Sequence, residues 1–349
     1  MTPRIYLDEF APRSNLVVEE HIVTKPRFEV IDAHTHCGEL FAGPNFEELF
    51  DTEEFVGRYR AMGVSHVVNL DAMYGAHIDR FLKKVAGFED FFINFGTVEV
   101  SRMDGPDFEH YVYRTLREIA EKGCKGIKLW KNISLVLRDR EGRRIPVDDP
   151  RLAPIFCYAG ELGLIVLIHI ADPVAFFSPV DRFNERVEEL GAHPDWSFCA
   201  PGLFSFEALM EQQERLIASN PGTTFIVAHC GSYAENLAAV AAWLDRYPNL
   251  YIDLAARLGE LGRQPYSARE FLTSYSDRIL FGTDSFCYTN PTDHPIYYRA
   301  LETRDEYFDY GCGALPTQGR WKIYGFQLGD APLRNIYSQN AKKLFRLMS

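Results

Sequence analysis

Leu164-Ile165-Val166-Leu167-Ile168-His169 sets five apolar residues, three of them β-branched, in front of a histidine. No polar residue alternates with them, so the strand they predict is covered on both faces, as in a parallel sheet with helical crossovers. Phe225-Ile226-Val227-Ala228-His229 repeats the pattern, histidine included. Working outward, similar short runs stand at Val30–Ala33, Val64–Leu70, Phe91–Val98, Gly126–Trp130, Leu250–Leu254 and Ile279–Gly282. With Leu164–Ile170 and Thr224–Ala228 they make eight predicted strands.

Helical signals fill the intervals. Asp149-Pro150 places a capping residue before a proline at the first helical position. Leu152, Ile155, Phe156, Ala159 and Leu162 then form one apolar face, which Gly163 ends. Asp51 with Glu54 starts another helix, and Ser232 with Glu235 matches a capping box before Leu237, Val240, Ala241 and Leu244. Eight strands alternating with helices predict a (β/α)8 TIM barrel. A doubly wound sheet is the rival, but no GxGxxG follows an early strand.

A length of 349 residues divides into about two average domains, yet barrels of this kind commonly exceed 250 residues as one unit. The expected organisation is an arm over residues 1–27 packed on a single barrel domain over 28–349. Two insertions, at about 171–205 and 286–330, follow the fifth and eighth strands and so belong over the C-terminal mouth, as aromatic, proline-containing lids. Hydrophobic residues make up 46% and charged residues 25%, an ordinary folded balance. Thirty-seven basic against 49 acidic residues leave a net charge of −12, which argues against nucleic acid or anionic membranes as partners. Seven cysteines without a CxxC pair, and the lack of an apolar leader, point to the cytoplasm. Cys157 and Cys230 read as small buried hydrophobes.

The chemistry sits at the strand ends. Ile31-Asp32-Ala33-His34-Thr35-His36 closes the first strand with two histidines two positions apart, and residues i and i+2 of a strand face the same way. His169 and His229 close the fifth and sixth strands, and Asp284 closes the eighth in Phe281-Gly282-Thr283-Asp284. A carboxylate after so apolar a run needs a partner or a metal. In a barrel all five ends converge on one face, and together they read as a metal site. Lys128, ending the fourth strand, is either an apolar-strand lysine reaching solvent, a clamp for a substrate carboxylate, or, if carboxylated, a bridge to a second metal. Trp130, Arg182 and Arg257 are the other candidate substrate contacts, the two arginines as anion binders. His77, His193 and His294 lie in or near loops facing the mouth.

The ordered pieces IDAHTH, GIKLW, LIHI, VAHCG and FGTDS, with a closing Asn340-Ala341-Lys342-Lys343-Leu344-Phe345, resemble the amidohydrolase superfamily, in the branch that includes aminocarboxymuconate-semialdehyde and resorcylate-type decarboxylases. The resemblance runs from about residue 28 to 348. It implies that His34, His36, His169 and Asp284 hold one divalent metal, zinc or else manganese, with His229 as the catalytic histidine beside it. A binuclear variant would use carboxylated Lys128, with His169 and His229 on the second ion. Neutral imidazoles and a carboxylate suit a borderline cation with an open position for water. Asp284 then accepts the water's proton and passes it to the leaving group, while His229 orients the water or stabilises the developing oxyanion. The leading expectation is a metal-dependent hydrolase acting on an amide, ester or C–C bond of a small organic substrate. The alternative is a non-oxidative decarboxylase of an aromatic or enoate acid, and a minor one is a binding barrel without catalysis. The resembling branch also suggests a homodimer.

Overall fold

The computed structural model describes residues 4–7, 9–289, 293–311 and 318–347. Its strands are β1 (Val30–His36), β2 (Val64–Met73), β3 (Phe92–Gly96), β4 (Gly126–Leu129), β5 (Ile165–Ile168), β6 (Phe225–Val227), β7 (Leu250–Asp253), β8 (Ile279–Leu280) and a short β9 (Ser285–Phe286). All eight predicted strands are present. The sheet runs β8-β7-β6-β5-β4-β3-β2-β1-β9, and every neighbouring pair is parallel.

β9 continues the eighth strand after the Phe281–Asp284 corner, and this is how the cylinder closes. The Leu254 amide donates to Leu280 O (3.2 Å) on one side. On the other, Ala33, Asp284 and Cys287 amides bond Phe281 O, His34 O and His36 O at 2.9, 2.9 and 3.0 Å. No sheet edge is left open there. The chain is therefore a (β/α)8 barrel.

Two apolar layers follow from the strands' alternation. Ile31, Ala33, Val68, Leu70, Phe95, Leu167 and Ile226 fill the lumen together with Ala341 and Phe345 of the final helix Asn340–Phe345, whose ring meets Phe95 at 5.9 Å. That helix plugs the end opposite the mouth. The outward-facing residues of the strands pack under the surrounding helices in a second, larger cluster.

Several local readings hold. Asp51 caps the helix Thr52–Ala61 by accepting from Glu54 N at 2.8 Å, and Asp149 caps the 3-10 turn that leads into Ala153–Glu161. Others do not. The helix Leu237–Arg246 is capped by Asn236, while Ser232 and Glu235 turn away to accept the Ala171 and Val174 amides of the loop after β5. Long-range partners replace the capping box because the loop's backbone amides need acceptors away from water. Cys230 is buried as expected, but Cys157 lies exposed on its helix.

Both predicted mouth insertions are present, the second over its described residues 286–289, 293–311 and 318–330, with 290–292 and 312–317 outside them. The first carries short helical turns at Val174–Phe177, Val187–Ala192 and Pro194–Trp196, and the second the helix Asp293–Glu302 and a bridge between Phe308 and Ile323. Arg186 pins them together. It is fully buried, ion-paired with Glu260 and with Glu189 (2.7 Å), and lies over the rings of Phe176 (5.8 Å) and Trp321 (5.5 Å). Residues 4–7 and 9–29 form no helix or strand. They are held by His21 and Glu19 against Asp305 and Arg304, and by Arg320 on the Leu7 and Phe10 carbonyls. Among the described residues no helix is long and apolar enough to cross a membrane.

Candidate metal centre at the barrel mouth

β1 aims its histidines by means of a bulge. Asp32 pairs with Val67 and Thr35 with Asn69, so three steps along β1 match two along β2. The extra residue lets His34 face the centre although its neighbour Ala33 also lies in the lumen. β2 carries its own irregularity between Asn69 and Met73, around Asp71.

Each central imidazole is held through Nδ1. His34 Nδ1 meets Asp253 Oδ2 at 2.9 Å, His36 Nδ1 meets Asp71 Oδ1 at 2.8 Å, and His229 Nδ1 meets Ala255 O at 2.9 Å. A carbonyl only accepts, so His229 carries its proton on Nδ1 and presents a lone pair at Nε2. The Nε2 atoms of His34 and His36 stand 3.4 and 3.1 Å from Asp284 Oδ1. One nitrogen each of His34 and His229 and one oxygen of Asp284 fall within 4.8 Å of one another, a grouping able to hold a metal ion. His169 lies alongside, its ring 4.2 Å from that of His229. Its Nε2 is buried, 3.4 Å from Asp172 Oδ1, and makes no hydrogen bond among the described residues.

Backbone strain concentrates at the same place. His229, Cys230 and Ser232 have φ of 59°, 56° and 61°, and Asp284 has 68°. Left-handed backbone at non-glycine residues is held only where the surroundings over-determine it. Here the Asp284 amide is fixed on His34 O, and the His229 amide on Asp253 Oδ1 at 2.8 Å.

Electrostatics sorts the groups. Lys128 is buried, with Nζ 3.3 Å from His34 Nε2. Two positive charges that close would repel by about 5 kcal/mol even at an effective dielectric of 20. His34 is accordingly driven well below the ordinary histidine range by burial and by Lys128. Burial also lowers His229, helped by His169 and Arg257, and brings His169 down to about 4. His36 goes the other way. Burial opposes its charge, but Asp71 and Asp284 together raise it to about 9. Lys128 is lowered to about 8 by burial, against the pull of Asp284, Asp253 and Asp71. Asp284 stays ionised despite burial, because His34 and His36 face it.

The donor set suits a divalent cation. Unprotonated Nε2 atoms and a carboxylate oxygen converge, and His169 Nε2 is a buried nitrogen that makes no hydrogen bond among the described residues. The proton that His36 holds between two carboxylates occupies a position a cation can take instead.

The other predicted contacts are distributed unevenly. Arg257, 6% exposed, bonds only its neighbour's Ala256 O (2.8 Å) and makes no ion pair among the described residues. Trp130 is half-buried beside β4. Arg182 is exposed, resting over Phe183 at 4.7 Å, and is not brought to the mouth cluster. The buried arginine of that loop is Arg186. His294 is not a mouth-loop residue: it is wholly buried on the helix Asp293–Glu302, with Nε2 2.9 Å from Asp32. Asp32 also receives the His34 and Thr283 amides at 3.1 Å each, tying the ends of β1 and β8 together.

Sequence reasoning passed over the three carboxylates that position the site: Asp32, Asp71 and Asp253. The signal that marked Asp284, a carboxylate inside or closing an apolar run, was present at Leu250-Tyr251-Ile252-Asp253 as well.

A closed parallel barrel with polar strand ends gathered around a carboxylate and imidazoles defines a mononuclear or binuclear metal-site barrel as the class. The chain belongs to the amidohydrolase family, whose model matches residues 31–347. Among solved structures it is similar to a 2,6-dihydroxybenzoate decarboxylase bound to 2,6-dihydroxybenzoate, at 17% identity and TM-score 0.55, covering 92% of this chain and 100% of the other. A zinc-bound amidohydrolase from Burkholderia multivorans aligns at 13% identity and TM-score 0.53 over 92% and 100%. So does a 5-carboxyvanillate decarboxylase from Novosphingobium aromaticivorans, complexed with manganese and a nitrobenzoic acid, at 14% and 0.53 over 94% and 100%. No curated protein sequence matches the chain significantly.

Proposed function

We propose that this protein is a metal-dependent hydrolase of a small organic substrate, with His34, His36, His169 and Asp284 holding one divalent ion. Zinc is the ion assigned, with manganese as the alternative. The observation that carries the reading is the convergence of His34 and His36 Nε2 on Asp284 Oδ1, at a carboxylate whose side chain keeps 28% of its surface open at the mouth. A bound divalent ion supplies the acidity that makes water a nucleophile near neutral pH.

The chain's own residues do the rest. Asp284, ionised and open to the mouth, takes the water's proton and returns it to the leaving group. His229, with its proton committed to Ala255 O, accepts a hydrogen bond at Nε2 and so orients the water. That tautomer leaves it no proton for an oxyanion. Charge developing on the substrate oxygen falls instead to Lys128 Nζ and to Arg257, which makes no ion pair among the described residues. The binuclear variant, with carboxylated Lys128, remains the second form of the same site.

Lys128 also favours the second reading, a non-oxidative decarboxylase, because a buried ammonium beside the centre holds a substrate carboxylate well. Turnover of aryl esters, lactones and hydroxybenzoic acids in water enriched with oxygen-18 separates the two. Hydrolysis places the label in the product, whereas decarboxylation releases carbon dioxide and leaves the product unlabelled. Asp284→Asn should reduce turnover at least 100-fold while the thermal transition persists. Near-normal turnover in that variant, with metal bound, would remove Asp284 from proton transfer.

A further inference from the structure

Asp32, on β1 and wholly buried, is the junction between the strand ends and the second mouth insertion. Its Oδ1 accepts the His34 and Thr283 amides at 3.1 Å each. Its Oδ2 accepts the Thr283 hydroxyl at 2.6 Å and lies 2.9 Å from His294 Nε2. Three of these contacts come from His34 or from the residue before Asp284. His294, the fourth, comes from the insertion helix Asp293–Glu302.

His294 is as buried as its partner, and its ring lies among those of Tyr59 (5.1 Å), Phe281 (6.0 Å) and Tyr298 (6.3 Å). Any aromatic ring of that size would fill the space, so packing alone does not call for an imidazole. Asp32 accepts from its other partners, so His294 is the donor and keeps a proton on Nε2. Its Nδ1 is buried with no hydrogen-bond partner among the described residues, a cost that a phenylalanine would not carry. What the imidazole adds is the single N–H on Asp32. Without it Oδ2 is one donor short, and the carboxylate that holds the Thr283 amide and hydroxyl is free to turn. Asp284 comes next in the chain, with its backbone at φ 68°, a conformation that persists only while its neighbours fix it.

We infer that His294 is a positioning residue of the metal centre: through Asp32 it sets the Thr283–Asp284 corner, and so couples the second mouth insertion to the ion. The ion rests on the metal-site reading above, but the hold on the corner does not. Such coupling is reciprocal, so the insertion strengthens ion binding and ion binding steadies the insertion helix.

Three variants separate the hydrogen bond from the packing. His294→Phe keeps a ring without the N–H. His294→Gln returns an amide N–H at the reach of Nε2, and His294→Asn carries its amide too short for Asp32. In the full-length protein, zinc affinity read with a chromophoric chelator should fall about 10- to 100-fold in His294→Phe and His294→Asn and recover in His294→Gln. The visible absorption bands of the cobalt-substituted protein should shift in the same two variants and not in His294→Gln. In metal-stripped protein, hydrogen exchange at the Thr283 and Asp284 amides should quicken about 10-fold in His294→Phe, and zinc should slow exchange over 293–302 more in the parent than in that variant. Parental zinc affinity in His294→Phe, or equal losses in His294→Gln and His294→Asn, would overturn the proposal. Should His294→Phe fail to fold, the contrast between His294→Gln and His294→Asn decides. Should the parent retain no zinc while the exchange difference persists, the metal reading fails and the hold on the corner stands.

Discussion

Asp253 orders more of the centre than any single ligand does. One oxygen receives the His229 and Ala255 amides at 2.8 and 3.1 Å, and the other holds His34 Nδ1 at 2.9 Å. It is wholly buried, so its charge persists only because those donors surround it. Asp253→Asn leaves an amide that can still accept from one side but no longer fixes the His34 tautomer by charge. Metal affinity should fall about 10- to 100-fold, as is usual for the residue behind a ligating histidine. Competition with a chromophoric chelator measures it, and unchanged affinity would contradict the positioning role. Gly38 makes a related point for His36. A Cβ there would lie 2.4 Å from Asp71 O and 2.8 Å from Asp71 Cβ, so Gly38→Ala should displace Asp71 and lower zinc stoichiometry, read by elemental analysis.

Among elements, the segment 138–151 between β4 and β5 shows how a loop is kept in place by ion pairs beside its two buried anchors, Ile145 and Val147. Asp139 accepts from Arg143 Nε at 2.9 Å and from the Arg143 amide at 2.9 Å, and Arg151 joins Asp139, Asp149 and Asp104. Burial works to raise the Asp139 pKa, but Arg143 and Arg151 prevail and hold it at about 2, below the ordinary 3.8. A carboxylate depressed in the folded state stabilises above its unfolded pKa and loses that contribution as pH falls through the folded one. Asp139→Asn should therefore lower the melting temperature at pH 7, and the gap from the parent should close between about pH 4 and pH 2. A gap independent of pH would assign the loss to packing. The bulges in β1 and β2 belong to this scale too: they turn His34 and Asp71 inward, and nothing in the HxH spacing announces them.

For the whole molecule, we propose that residues 1–27 are an appendage to one barrel rather than part of its core. Ile5, Tyr6, Leu16, Val17 and Ile22 are more than half exposed, Val17 completely, whereas near the barrel Val23 packs on the core. Such a surface suits a second copy of the chain, in keeping with the homodimer expected from the resembling branch. Deleting residues 1–22 should leave the zinc content unchanged and lower the melting temperature by only a few degrees. Light scattering should show a dimer for the full chain and a monomer for the truncated one. A monomer in both would separate the arm from assembly.

How much was legible depended on the range of the interaction. The eight strands and five polar ends were visible because each is a local fact: an apolar run needs cover on both faces, and a histidine or carboxylate at its end faces the mouth of any barrel those runs build. Family membership follows from the same ordered pieces. What the chain alone left open required residues far apart to meet. Asp253 serves a histidine 219 positions away, and His294 answers Asp32 across 262. Asn236 caps its helix because Ser232 and Glu235 are engaged by another loop, and Arg186 is buried only because two insertions close over it. Sequence by itself determined the barrel and which side chains crown it. Tertiary structure decided which nitrogen each histidine offers and which charge each group keeps, since those depend on burial and on partners no local pattern encodes.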